Sequence, residues 1–176
     1  MFKVNHDEAK NTNIIPEGEY EVILADVKES ETQSGTVYIN VPMVVRNDVE
    51  QAYKNGYIWH AIWHMKNPTA SDSEVNGYNS REIQSLSKAV DFENGTSFNS
   101  LEEWMTALKH MLCRVTVKHE IYNNTPQAKV KSVKSTAFPE CVHVWKEKSA
   151  GLPAMSIPTV ATGFKTLGDD DDLPWN

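Results

Sequence analysis

The sequence has few cysteines, a shortage of positive charge and no long apolar run, and each shortage excludes a class of protein. Its two cysteines, Cys113 and Cys141, stand far apart in 176 residues and form no Cys-x-x-Cys pair. Neither a disulfide scaffold nor a cysteine-rich zinc site is expected. No apolar stretch approaches the roughly 20 residues needed to span a bilayer. The opening residues, Met1 to Glu8, lack the apolar core of a signal peptide. The expectation is a cytoplasmic protein with no membrane association. No glycine-rich phosphate loop, Gly-x-Ser-x-Gly elbow or His-Glu-x-x-His pair occurs. His60 and His64 would share a strand face but bring no further ligands with them. The chain therefore reads as non-enzymatic, without metal or cofactor.

Lys and Arg number 17 against 24 Asp and Glu, for a net charge of −7. That balance argues against a nucleic-acid binder until its distribution is read. Residues 109–148 hold eight basic and three acidic side chains, whereas the stretches 1–50, 51–108 and 149–176 are each net negative. A locally basic groove can bind phosphates on an anionic protein.

Residues 1–15 read as a polar leader, closed by a turn at Pro16-Glu-Gly18. Tyr20–Lys28 predicts a first strand and Glu29–Gly35 a polar loop. Val37–Arg46 predicts a second strand, with Val37, Ile39, Val41, Met43 and Val45 on one face and Tyr38, Asn40, Val44 and Arg46 on the other. Pro42 argues for a bulge or an edge there. Tyr57–His64 predicts a third strand, with Tyr57, Trp59, Ala61 and Trp63 sharing a face and the histidines alternating with them. A loop is expected over 66–79 and a helix over Ser80–Val90. A second helix, capped by Ser100, runs through Trp104 and Leu108 towards Met111. Cys113–Tyr122, a turn at Asn123–Pro126 and Gln127–Lys134 predict a hairpin. Residues 149–168, rich in Pro and Gly, read as a flexible linker, and 169–176 as an acidic tip. Three strands, helices, then a hairpin is the order of an OB-type, mainly β, five-stranded barrel with a helical insertion between strands three and four. On this reading the domain covers 16–148 and a disordered acidic tail follows.

Several side chains are suited to single-stranded nucleic acid, which needs cations for phosphates and π-faces for unstacked bases. Arg114 and Lys118 project from one hairpin strand, Lys129 and Lys131 from its partner, and Tyr122 ends the row. Tyr38 and Arg46 share the outward face of the second strand. Trp59 and Trp63 fit either a core or a binding face, because the alternation puts tryptophan on one side and histidine on the other without saying which is inside. At the far end, Asp169, Asp170, Asp171 and Asp172 cannot pack into a core. Leu173, Pro174 and Trp175 after them supply an apolar anchor for a docking partner.

That tip resembles the acidic, Pro-and-aromatic tip of bacterial single-stranded-DNA-binding proteins, which recruits repair and replication enzymes. Asn176 after Trp175 departs from it, since the bacterial tip usually ends in an aromatic whose free carboxylate contributes to docking. The body resembles a bacteriophage family of such proteins, long catalogued as a domain of unknown function. The residues carrying this are Pro16–Val22, Thr32–Gly35, Val45–Asp48, Ile58-Trp59, Val115–Asn124 and Lys131–Pro139. The resemblance implies an OB fold, no catalysis and binding with little sequence preference. The expected function is binding and protection of single-stranded DNA in phage replication and recombination, in the infected bacterial cell, with the tip recruiting partner proteins. A homodimer is compatible with it. The alternative is a protein-interaction adaptor with a β-barrel body and an acidic docking tail.

Overall fold

The computed structural model describes residues 14–146. The leader up to residue 13, the 149–168 linker and the 169–176 tip lie outside the described residues. The chain divides into two units after Val144, and every helix and strand among the described residues belongs to the first of them.

The elements are β1 (Gly18–Leu24), β2 (Lys28–Glu31), β3 (Val37–Val45), β4 (Tyr57–Trp63), α1 (Ala70–Glu74), α2 (Ser80–Ala89), α3 (Leu101–Ala107), β5 (Leu112–Tyr122) and β6 (Thr125–Lys134). The protein is mainly β, and every strand pairing is antiparallel. One flank of β3 pairs with β4, while the other pairs with β2 at its start and β1 at its end. β1 continues to β5, and β5 to β6. With β1 and β2 taken as two halves of one bent strand, this is the expected OB order, helices falling between the third and fourth strands. β4 and β6, the two ends of the series, touch without sharing a ladder, so the barrel is partly open there.

Among the described residues there are six strands where five are expected, because the first strand breaks at residues 25–27 and resumes at Lys28 as β2, which runs into the stretch expected as a loop. Pro42 is accommodated by this break. Its carbonyl accepts the Ala25 N–H at 2.9 Å. The N–H it lacks would face the same flank, where β1 has ended and β2 has not begun, so no ladder bond is lost. The 66–79 stretch contains α1, which its loop-like residues disguise. Asp72 caps it reciprocally with Thr69 and also accepts the N–H and hydroxyl of Ser80 at 2.9 and 2.7 Å. One buried carboxylate thus starts both α1 and α2. Ser100 caps α3 as expected, accepting the Glu103 N–H at 3.1 Å. The helix stops at Ala107 because His110 turns left-handed (φ 64°) and gives its N–H to the Leu24 carbonyl at 2.9 Å.

Strand alternation fills the barrel. Val22 and Leu24, Ile39, Val41, Met43 and Val45, Ile58 and Ile62, and Cys113, Val115 and Val117 point inward, closed over by Ile83, Leu86, Trp104 and Leu108. Each such aliphatic side chain contributes about 1.5–3 kcal/mol by leaving water. Burial also pushes the Cys113 thiol up to about 12, so it is inert packing.

Past β6 the chain crosses back over the outer side of β1 and β3, held by polar atoms. Arg46 is fully buried. Its Nε and one terminal nitrogen donate to the two oxygens of Asp48 at 3.0 and 2.6 Å, and it also donates to the carbonyls of Phe138 and Glu140, both at 2.6 Å. Asp48 accepts the Val142 N–H at 2.9 Å. Asn47 bonds both backbone groups of Val144. Buried Glu21 accepts from the Ala137 N–H and the Thr136 hydroxyl. Arg46 is therefore not the outward phosphate contact expected of it, since its donors are used inside the protein.

Hydrogen bonds from Arg46 hold the Asp48 carboxyl below the usual carboxylate range. Asp48→Ala would leave the guanidinium buried without its counter-charge. It should lower the unfolding free energy by about 3–5 kcal/mol in urea titrations at neutral pH. Because the folded-state value is lowered, the contribution is complete above about pH 4 and fades as pH falls through that lowered value. The gap between wild type and variant should narrow only in acid.

Candidate nucleic-acid interface

The register of β3 against β4 decides which way the tryptophans face. Ile58 and Ile62 are buried, and His60 lies between them on the same side. Burial lowers the His60 pKa, and its Nε2 stands 3.5 Å from a Glu82 carboxylate oxygen. The opposite face carries Tyr57, Trp59, Ala61 and Trp63, with Tyr57, Trp59 and Trp63 exposed by 53, 58 and 43%. Trp104, by contrast, is buried and donates its indole N–H to Ser87 at 2.8 Å. The alternation left open by the sequence is resolved with Trp59 and Trp63 outward.

Those rings are organised in two stacked couples. Tyr38 lies opposite Trp63 and stacks on it, centroids 4.7 Å apart at 29°. Tyr57 stacks on Trp59 at 5.5 Å and 17°. Neighbouring strands extend the rows. Ser30, Tyr38 and Trp63 are successive partners across β2, β3 and β4, as are Lys28, Asn40 and Ala61. Pro42 partners Trp59, and Val44 partners Tyr57. The outer face therefore presents an aromatic couple at each end with a small, polar row between them. Among the described residues neither the Asn40 amide nor the Lys28 ammonium has an intramolecular hydrogen bond or ion pair. Lys28, Asn40 and Tyr57 were not among the expected site residues. Asn40 and Tyr57 lie on faces legible from alternation, but the place of Lys28 depends on β2.

The hairpin cations are arranged differently from the bare row that the sequence predicts. Arg114 pairs with Glu21 at 2.9 Å and Glu19 at 3.7 Å. Lys118 pairs with Glu17 at 3.4 Å, Lys129 with Glu120 at 3.0 Å and Lys134 with Glu19 at 3.5 Å. The Glu17 carboxyl is lowered first by the His119 backbone N–H and then by Lys118. Lys131 occupies the bulge where the β5–β6 register shifts; it is exposed, with no ion pair among the described residues. Tyr122 is exposed beside the hairpin turn. The structure thus brings Tyr38, Trp59 and Trp63 together on β3–β4, and keeps Arg114, Lys118, Tyr122, Lys129 and Lys131 on β5–β6, most of the cations paired with acids of β1, of β5 or, for Glu17, of the residue just before β1. The tip residues Asp169–Trp175 lie outside the described residues. Among the described residues no group of three metal-ligating side chains forms.

Residues 2–142 match the family described as protein of unknown function (DUF669), and the chain belongs to that family. No curated protein matches the chain.

A pair of tryptophans displayed on the surface has little to do with folding. The double variant Trp59→Ser/Trp63→Ser should keep its unfolding free energy within about 1 kcal/mol of wild type, whereas Trp104→Ala should lose about 3–5 kcal/mol. Urea denaturation followed by circular dichroism measures both.

Proposed function

We propose that this member of the DUF669 family binds single-stranded DNA without catalysis, through the outer face of β3 and β4. The observation carrying the reading is the pair of open aromatic couples, Tyr38–Trp63 and Tyr57–Trp59. In OB folds the second and third strands, here β3 and β4, form the face that holds oligonucleotides. Unstacked bases find π-faces there whatever their identity, so binding is largely independent of sequence. Lys28 beside the couples and Lys131 in the bulge supply unpaired positive charge. The hairpin residues Arg114, Lys118 and Lys129 take a flanking role with Tyr122, since the acids paired with the three cations must be displaced before phosphates can use them. Protection of single strands in phage replication and recombination is the setting that the resemblance of the body supports. The acidic tip is the segment that would recruit partner proteins.

Quenching of tryptophan emission by oligo-dT, titrated at two salt concentrations, tests the reading. Trp59→Ala and Trp63→Ala should each weaken binding by about 1–3 kcal/mol. With so few unpaired cations, raising salt should reduce affinity less steeply than for a protein that makes 6–10 phosphate contacts, roughly 10³–10⁵ between 50 and 200 mM. Absence of binding at low salt, with the folded state intact, would remove this function and leave the adaptor reading.

A further inference from the structure

We propose that the polar row between the aromatic couples, Asn40 flanked by Lys28 and Ala61, reads the edge of one base and favours a keto base, thymine or guanine, over an amino base of the same size class. This inference rests on the β3–β4 face being the single-strand site and adds a preference to it.

The geometry follows from register. Trp59 and Trp63 stand four residues apart on one strand face, about 13 Å at strand rise. Stacked bases are separated by only about 3.4 Å along a duplex strand. A strand whose bases use both couples is therefore splayed, and what lies between them passes over the row Ala61, Asn40 and Lys28. Ala61 has no ring to compete for that base and leaves room for it. Asn40 is half-buried and Lys28 exposed, and neither side chain's polar group is used by a described residue. The nearest alternatives on this face offer less. Pro42 and Val44 have no polar side-chain atoms, and Ser30 lies in the row already occupied by Tyr38 and Trp63.

The chemistry then separates the bases. An amide both donates and accepts, so Asn40 alone adapts to any base edge. An ammonium only donates. Lys28 is therefore satisfied by the O4 of thymine or the O6 of guanine, and is opposed by the exocyclic amines of cytosine and adenine that present hydrogens at the equivalent place. Thymine and cytosine are the clean comparison, being equal in ring size and differing at that edge. The aromatic couples supply most of the affinity and treat both alike. The polar row adds a bias to binding that is otherwise sequence-tolerant.

The experiment compares oligo-dT, oligo-dU and oligo-dC of one length, by tryptophan quenching at fixed salt, on the wild-type chain, Lys28→Met, Asn40→Ala and Trp63→Ala. Wild type should prefer dT to dC by about five-fold. Oligo-dU should behave as dT, which excludes the thymine methyl as the cause. Lys28→Met should bring the dT/dC ratio close to one, whereas Asn40→Ala and Trp63→Ala should weaken both ligands while keeping it. A ratio near one in wild type, or one unchanged in Lys28→Met, overturns the inference while tryptophan-dependent binding keeps the proposed function. Failure of every oligonucleotide to bind removes the function itself. Lys28 is exposed, so loss of folding does not confound its variant.

Discussion

A guanidinium removed from water must find its partners inside the protein, and much of the outer surface of this barrel follows from how Arg46 does so. The carboxylate of Asp48 answers its charge, and the carbonyls of Phe138 and Glu140 take further donors. Those carbonyls belong to the segment after β6, so the chain must return across β1 and β3 once the last strand is complete. The return bonds Glu21 through Thr136 and Ala137; Glu21, Ile23 and Val44 are all buried on the outer side although alternation sends them away from the barrel core. Nothing comparable lies over Tyr38, Asn40 and the aromatics of β4 among the described residues. One outer face is thus divided into a closed end, held by a buried ion pair, and an open end. A buried pair is weak evidence for net stability compared with an apolar replacement. Its effect here is on geometry, fixing where the segment lies.

The same acids that serve the interior also change the meaning of the basic hairpin. Glu21 accepts from the returning segment and from Arg114 together. Glu17, just before the neighbouring strand, and Glu19 on it meet Lys118 and Lys134. Such half-exposed pairs contribute only about 0–1 kcal/mol to stability, but each removes a cation from the potential that a polyanion would meet. On the proposed function, affinity would then be carried more by π-faces than by phosphates. That arrangement suits a chain whose overall charge is −7, since a site relying on long-range attraction would work against the rest of the molecule.

What the sequence made legible was what depends on local pattern. Period-two runs located β3, β4 and the hairpin, and Ser100 located the start of α3. The order of strands, helices and hairpin gave the OB type. Alternation also showed that Trp59 and Trp63 share a face. It does not show which face, because tryptophan lies on one side and histidine on the other, and either side fits the interior. The remaining misreadings involve partners distant in sequence. Arg46 looks like an outward cation until residues 136–142 are laid over it. The acids at 17–21 look unrelated to the cations at 114–134 until β1 pairs with β5. Lys28 reads as the frayed end of a strand until the break at 25–27 starts β2 and puts it beside Asn40. In each case the deciding fact is a pairing between strands or segments, which composition and periodicity do not encode.

A one-residue slip of β4 against β3 would exchange the two faces, burying Trp59 and Trp63 and exposing Ile58 and Ile62. Burying an aromatic of this size removes 150–250 Å² from water, so the register found leaves a large area of favourable contact unused. The barrel interior is already occupied by Val22, Leu24, Ile39, Val41 and Met43, with Trp104 packed over them, so two further indoles would have to displace side chains already there. That explains why the rings are outside, but not why they are there at all, since small polar residues would meet the same steric limit. Contiguous exposed apolar area usually marks a surface that binds something. A protein-docking patch is expected to be apolar at its centre and polar at its rim. This face has the opposite order, with Asn40 and Lys28 in the middle and rings at both ends. The proposed single strand, splayed, would match that order, its bases reaching the rings and the edge of one between them meeting the polar row.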